Sequence, residues 1–189
     1  MSQDPRCKVA FIGTHGVGKT TLCYGLAARL KVRDVPLEVV REVARRCPLP
    51  INQATSVESQ SWILHTQIAE ELAAQSQYGV VVCDRSILDN YVYMLVAAGS
   101  QPALEPMINQ WMRTYDLLLH VPIVTVPAED GIRATDPAFQ GAIDERLIQE
   151  LSARGLSVYS LDPVQRDSWL ETAAALVLDS LTLPQLQLL

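Results

Sequence analysis

Eight consecutive residues, Gly13-Thr14-His15-Gly16-Val17-Gly18-Lys19-Thr20, satisfy the pattern G-x-x-x-x-G-K-[ST] without a mismatch. The glycines let backbone N–H groups turn inward around phosphate oxygens, and a helix starting at the end of the loop adds partial positive charge. Lys19 supplies an ammonium for β- and γ-phosphates, and the Thr20 hydroxyl can join a Mg²⁺ shell. Gly13, Thr14, His15, Gly16, Val17, Gly18, Lys19, Thr20 and Thr21 are therefore the expected nucleotide-binding residues. At average residue usage, a chain of this length produces about 0.006 such matches by chance. The alternative is a glycine-rich turn of structural value alone.

A second acidic element fits beside this loop. The run Val80-Val81-Val82-Cys83 is wholly apolar and ends abruptly in Asp84. A carboxylate at the C-terminal edge of a neighbouring strand can hold Mg²⁺, usually through water, so Thr20 and Asp84 form the expected metal pair. A solvated residue at a strand end is the plainer reading. Arg85 follows directly, where it can reach a transferring phosphoryl group or the phosphate of a second substrate. No N-K-x-D element for reading guanine is present. The absence of that element points to ATP rather than GTP, and the small size points away from helicases and large assemblies toward a kinase for a small molecule.

These groups need a scaffold, and the apolar pattern supplies one. Strands are expected at 8–13, 37–41, 79–84, 115–121 and 156–161, each apolar without polar alternation. Between and after them, helices are expected at about 18–31, 53–77, 87–98, 102–114, 138–154 and 164–181. Their apolar stripes are Leu22/Leu26/Leu30, Val57/Leu64/Ile68/Leu72, Leu104/Met107/Ile108/Trp111 and Ile143/Leu147/Ile148/Leu151. Strands buried on both faces and alternating with amphipathic helices imply a three-layer α/β/α sandwich around a five-stranded parallel sheet, with right-handed crossovers. No repeat, low-complexity segment or Gly/Ser linker divides the chain, so one domain is expected over all 189 residues.

Composition narrows the class further. Apolar residues make up 49% and charged residues 19%, which excludes a disordered chain, and the net charge of −6 argues against a general nucleic-acid binder. No apolar run approaches the roughly 18 residues that span a membrane, and the first residues lack a signal-peptide pattern, so a cytoplasmic location is expected. Cys7, Cys23, Cys47 and Cys83 form no C-x-x-C pair and read as small apolar residues. Trp62, Trp111 and Trp169 lie at helical spacing and read as packing residues. His15 lies within the loop, where it can face solvent. His65 reads as a helix residue without a catalytic task, and His120 sits within an apolar strand.

Together, the loop at 13–20, Arg41-Glu42 at the end of the second strand and Asp84-Arg85-Ser86 resemble the thymidylate kinase and deoxynucleoside kinase branch of phosphate-loop kinases. The chain is most similar to small AAA-type ATPases related to the ribosylnicotinamide kinase domain of a bacterial NAD regulator. The further motifs are Arg41-Glu42-Val43-Ala44-Arg45 and Asp130-Gly131-Ile132-Arg133, and the likeness runs over most of 8–162. The resemblance implies ATP and Mg²⁺ as cofactors and a nucleoside, nucleotide or related metabolite as acceptor. It implies that Glu42 handles the acceptor hydroxyl, as base or as positioning ligand, with Arg41 and Arg45 bordering the same pocket. Lys19, Arg85 and Arg133 would stabilise transferred charge, and a lid over 125–146 would bring Arg133, and with it Arg146, over ATP. Arg146 can instead pair with Asp144, Glu145 or Glu150 on a solvated helix face.

The chain departs from the family in three places. The second strand lacks the Pro-Gly of thymidylate kinases, Gln140 stands where a further basic residue is expected, and 47–75 carries no recognisable acceptor-binding set. The rival reading is an NTP-binding switch or ATPase read by a protein partner, with water as acceptor. The leucine-rich tail, 182–189, could pack on its own domain, fray, or form a homodimer or bind such a partner.

Overall fold

The computed structural model describes residues 6–51, 55–124 and 136–182. The described chain alternates β1 (Cys7–Ile12), α1 (Lys19–Lys31), β2 (Leu37–Val40), α2 (Val57–Gln77), β3 (Val80–Asp84), α3 (Ile87–Ala98), α4 (Glu105–Met112), β4 (Leu117–His120), α5 (Pro137–Ala153), β5 (Tyr159–Ser160) and α6 (Trp169–Thr182). Two 3₁₀ turns, Val43–Arg46 and Pro163–Ser168, precede α2 and α6. The strands form one sheet in the order β2-β3-β1-β4-β5, and every pairing is parallel. This is the expected α/β/α sandwich.

The apolar strands follow from having both faces covered. Val9, Phe11, Val80 and Val82 pack toward α1 and α6, against Leu26, Leu30, Trp169 and Ala173. The alternate residues Ala10, Ile12, Val81 and Cys83 pack toward α2, α3, α4 and α5, against Leu64, Leu88, Ile108 and Leu147. Successive side chains of a strand point to opposite faces, so two cores favour apolar residues throughout, and the one buried cation on β1, Lys8, is paired with Glu71. The two centrally placed strands, β1 and β3, thus end side by side at the loop and at Asp84.

Several elements differ from the sequence expectation, each for a physical reason. The start of the helix expected at 53–77 falls partly on 52–54, outside the described residues. Helix α2 begins at Val57, where the Ser56 hydroxyl accepts from the Ser59 amide in a capping box. Its expected stripe is not the buried face: Leu64 is buried, but Val57 and Leu72 are exposed. Ser59, Gln60, Ile63, Gln67, Glu71 and Ala74 turn inward instead, because the polar groups among them find buried partners. On α5, Ile143, Leu147 and Leu151 are buried while Ile148 is exposed.

The helix expected at 102–114 is trimmed to 105–112, with Pro106 in its first turn, where a missing N–H costs nothing. The strand expected at 156–161 keeps two paired residues, since only Tyr159 and Ser160 register with β4, and Leu156 and Val158 pack on the core. The helix expected from 164 starts at Trp169, after a 3₁₀ turn in which Gln165 leaves helical geometry.

Trp169 is buried, and Trp111 is half-buried with its indole N–H donated to Glu71 at 2.7 Å. All four cysteines are free, and burial holds the Cys7 thiol up at about 12. Among the described residues no helix is long and apolar enough to cross a membrane. The tail at 183–189 lies outside the described residues.

Candidate active site

The loop between β1 and α1 has the conformation its glycines permit. Gly13, Gly16 and Gly18 take φ of 134°, 79° and 97°. At Gly13 the demand is double, because a side-chain carbon there would sit 2.7 Å from the Val121 carbonyl oxygen. Val17 is buried in the core shared with α1 and α6, which leaves only its backbone for a ligand. Lys19 Nζ donates to the carbonyls of Gly13 and Thr14, at 2.8 Å to the first, so the ammonium lies within the curve of the loop. Burial, reinforced by the nearby Arg85 cation, lowers its pKa to about 8. Thr21 is exposed in the first turn of α1.

β3 delivers Asp84 to the start of α1, where Thr20 Oγ1 donates to Asp84 Oδ2 at 2.6 Å. Asp84 Oδ1 is buried and has no hydrogen-bond partner among the described residues. Burial raises the Asp84 pKa, with Lys19 and Thr20 opposing the rise. A desolvated carboxylate oxygen with an unused lone pair, beside a hydroxyl oxygen, is a donor set suited to a hard oxygen-seeking cation such as Mg²⁺. Thr20 and Asp84 would hold that ion, as their positions in the sequence suggested. No cluster of three His, Cys, Asp or Glu residues forms another metal site among the described residues.

Arg85 is the junction of the site. It is 4% exposed and, although not glycine, takes φ of 96°, a conformation that costs about 1–3 kcal/mol. The Arg85 amide donates to the Phe11 carbonyl at 3.1 Å. Its Nε donates to Glu42 Oε1 at 2.8 Å, its Nη1 lies 3.5 Å from the Gly13 carbonyl oxygen, and its guanidinium sits over the Tyr93 ring. Glu42 also accepts from Arg45 Nε at 2.7 Å. Burial opposes the Glu42 charge, but Arg85 and Lys19 outweigh it and hold the carboxyl down at about 2. The structure therefore brings Lys19, Thr20, Glu42, Asp84 and Arg85 together.

A pocket opens on this group, walled by Glu42, Arg45 and Arg85 together with Ile51, Ile63, Gln60, Asn90 and Tyr93. Arg41 is exposed and lines an adjoining groove with Thr20, Asp84, Glu42 and Arg45, the last two of which line the pocket as well. His15 does not face solvent: it is buried, contacts the Tyr93 hydroxyl at 3.1 Å and packs on Phe139. His120 faces Asp144 at 3.2 Å and Ser160 at 3.0 Å.

The part of the expected lid that is described is scaffold. Residues 137–146 form the first turns of α5, and Gln140 is 2% exposed with its amide donated to the His15 carbonyl at 2.8 Å. A neutral amide therefore occupies the position where a basic residue was expected, because its partner is loop backbone. Arg146 pairs with Glu150 at 2.8 Å on the helix surface. Arg133 and the rest of the lid stretch, 125–135, lie outside the described residues.

Several site residues were not singled out in the sequence. Asp89 accepts from the Gly13 amide at 2.9 Å and from the Ser86 amide at 2.9 Å. Its signal was available, since Ser86-x-x-Asp89 has the form of a capping box. Gln67, Asn90 and Tyr93 carry no such signature.

The fold and this loop define a phosphate-loop NTPase. The model of the AAA domain family matches residues 8–168, and the chain belongs to that family. Among solved structures it is similar to a deoxyadenosine kinase from M. mycoides with bound dATP, at 15% identity and a TM-score of 0.62, covering 94% of this chain and 100% of that one. It is also similar to the NadR protein in complex with NR, at 22% identity and a TM-score of 0.71, covering 97% of this chain and 54% of that one. The chain thus spans about half the length of NadR. At these identities the likeness is one of fold. No curated protein matches the sequence.

Proposed function

We propose that the protein is an ATP- and Mg²⁺-dependent kinase that phosphorylates a hydroxyl of a nucleoside, nucleotide or related small metabolite. The observation that carries this reading is the pocket beside the phosphate loop, which Glu42 and Arg85 line while Arg85 also reaches the Gly13 carbonyl. A switch that uses water as its acceptor has no need for such a pocket. The carboxamides of Gln60 and Asn90, with Ile51, Ile63 and Tyr93, offer the chemistry that a flat heterocycle with hydrogen-bonding edges needs, and the cavity of about 40 Å³ must widen to admit one. The two structural relatives, a deoxyadenosine kinase and NadR, support the same class.

In the proposed reaction the acceptor oxygen bonds to the γ-phosphorus as the bond to the bridging oxygen of ADP breaks. The loop amides and Lys19 hold the phosphates, and Arg85 faces the equatorial oxygens over which charge spreads. Thr20 and Asp84 would hold Mg²⁺, which would supply positive charge against the phosphates. Of the two roles open to Glu42, its low pKa favours orientation of the hydroxyl over early proton removal. That fits a loose transition state, in which the hydroxyl proton becomes acidic and leaves late, passing to Glu42 and from there to solvent.

The test is ADP release from Mg-ATP against a panel of nucleosides, nucleoside monophosphates and pyridine nucleosides, with product mass determined. Strong stimulation by one compound, with a phosphorylated product that Lys19→Ala fails to make, is expected. A flat panel from protein that binds nucleotide tightly would overturn the kinase reading in favour of the switch.

A further inference from the structure

A chain of buried polar groups runs from Glu71 through Gln67 to Asn90 and Arg85, two residues that line the pocket. Glu71 is fully buried, and four donors saturate its carboxylate. Oε1 accepts from Gln67 Nε2 at 2.9 Å and the Tyr115 hydroxyl at 2.7 Å. Oε2 accepts from Trp111 Nε1 at 2.7 Å and pairs with Lys8 Nζ at 2.6 Å. The neighbour that matters is Gln67, 1% exposed, which lies one helical turn before Glu71 on α2.

The carboxamide of Gln67 has only one workable orientation. Two of its neighbours, Glu71 Oε1 and the Arg85 carbonyl oxygen, can only accept, and both lie within 2.9 Å of its nitrogen. The third, Asn90 Nδ2, donates to its oxygen. A flipped amide would set an oxygen against two acceptors and an NH₂ against a donor, so the network itself fixes the assignment. The N–H given to the Arg85 carbonyl is one of the two bonds that clamp the Arg85 backbone, the other being the Arg85 amide to Phe11. Between these clamps the residue keeps its positive φ, and that φ turns the guanidinium back toward Gly13 and Glu42.

We infer that Gln67, oriented by Glu71, is a positioning residue that acts through Arg85: it locks the Arg85 backbone so that the guanidinium faces the phosphoryl group. The inference rests on the kinase reading in so far as Arg85 acts on that group. Loss of the clamp shifts the guanidinium without touching the phosphate loop, so the cost falls on turnover and leaves nucleotide affinity in place.

A double-mutant cycle tests this, read as kcat and KM for ADP release from Mg-ATP, alone and with the acceptor the panel returns. Gln67→Met keeps length and removes both donors. Its kcat is expected to fall about 10- to 100-fold, with KM for ATP held within about threefold. In an Arg85→Ala background the same change is expected to alter kcat less than about twofold, because the group it positions is gone. Where Gln67→Met does not yield folded protein, Gln67→Asn takes its place: it adds no charge beside Glu71, but is one methylene too short to keep both of its donated bonds. An equal loss in both backgrounds, or no loss in either, would overturn the inference and leave the kinase reading intact. Full turnover by Arg85→Ala would instead remove the role of Arg85 itself, and the inference with it.

Discussion

Lys19 is held inside the loop it serves, and its burial there makes a prediction about pH. With its pKa at about 8, Lys19 loses its proton within the working range, whereas triphosphate prefers the ammonium. Binding must then take up a proton above pH 8, and the Kd for Mg-ATP is expected to rise about eightfold between pH 7.5 and 9. Stability moves the other way: the unfolded lysine keeps its proton to about 10.5, so the Lys19 contribution to folding improves as pH climbs from 8 toward that value. Calorimetry in buffers of different ionisation enthalpy measures the uptake directly, and an affinity flat across this window would refute it.

The loop residues were legible because a fixed spacing of glycine, lysine and threonine admits one backbone solution. Asp84 was legible as an abrupt charge on an apolar run. Arg85 was legible as a type but not as a conformation, since its φ is set by Phe11 and Gln67, which are remote in sequence.

At the scale of elements, the least legible was α2. Periodicity arguments equate apolar with buried, and α2 breaks that equation: Leu72 is 54% exposed while Glu71 beside it is fully buried. The reason is Lys8, a cation 2% exposed on the central strand, which lies over the Trp111 and Tyr115 rings and needs an anion. Nothing near position 8 or 71 in sequence announces the pair. Breaking it is costly, because Glu71→Leu leaves Lys8 buried and uncompensated. A loss of about 3–5 kcal/mol in urea unfolding is expected. Adding Lys8→Met removes the stranded charge but not the orphaned donors of Tyr115, Trp111 and Gln67. The double variant is therefore expected about 2 kcal/mol below the parent. A double variant no better than Glu71→Leu alone would show that the pair contributes nothing as a pair. By contrast, β1 and β3 were read nearly to the residue, since burial on both faces leaves only Lys8 and the terminal Asp84 polar in two otherwise apolar runs.

For the whole molecule, the phosphate loop is where both cores and most layers meet. Gly13 is tied to α3 through Asp89 and pressed against the end of β4 at Val121. His15 is tied to α5 through Gln140, Thr14 to the same helix through Asp144 at 3.4 Å, and Val17 is sunk in the core of α1 and α6. A loop so anchored has no local opening of its own, so a ligand that binds it stabilises the whole fold. At a Mg-ATP concentration 100-fold above Kd the gain is about 2.7 kcal/mol. For a domain of this size that corresponds to a rise in Tm of roughly 5–11 °C. A single, steeper-bound transition is expected, moved as one unit by fluorescence and by calorimetry. Lys19→Met exchanges a buried lysine, whose charge burial already disfavours, for a side chain of similar length and is expected to fold with nearly the parent Tm while losing the shift. If ATP instead slowed amide exchange in residues 13–20 alone and left Tm unmoved, the loop would be an independent unit, and the ties to α3, α5 and β4 would carry no energetic coupling.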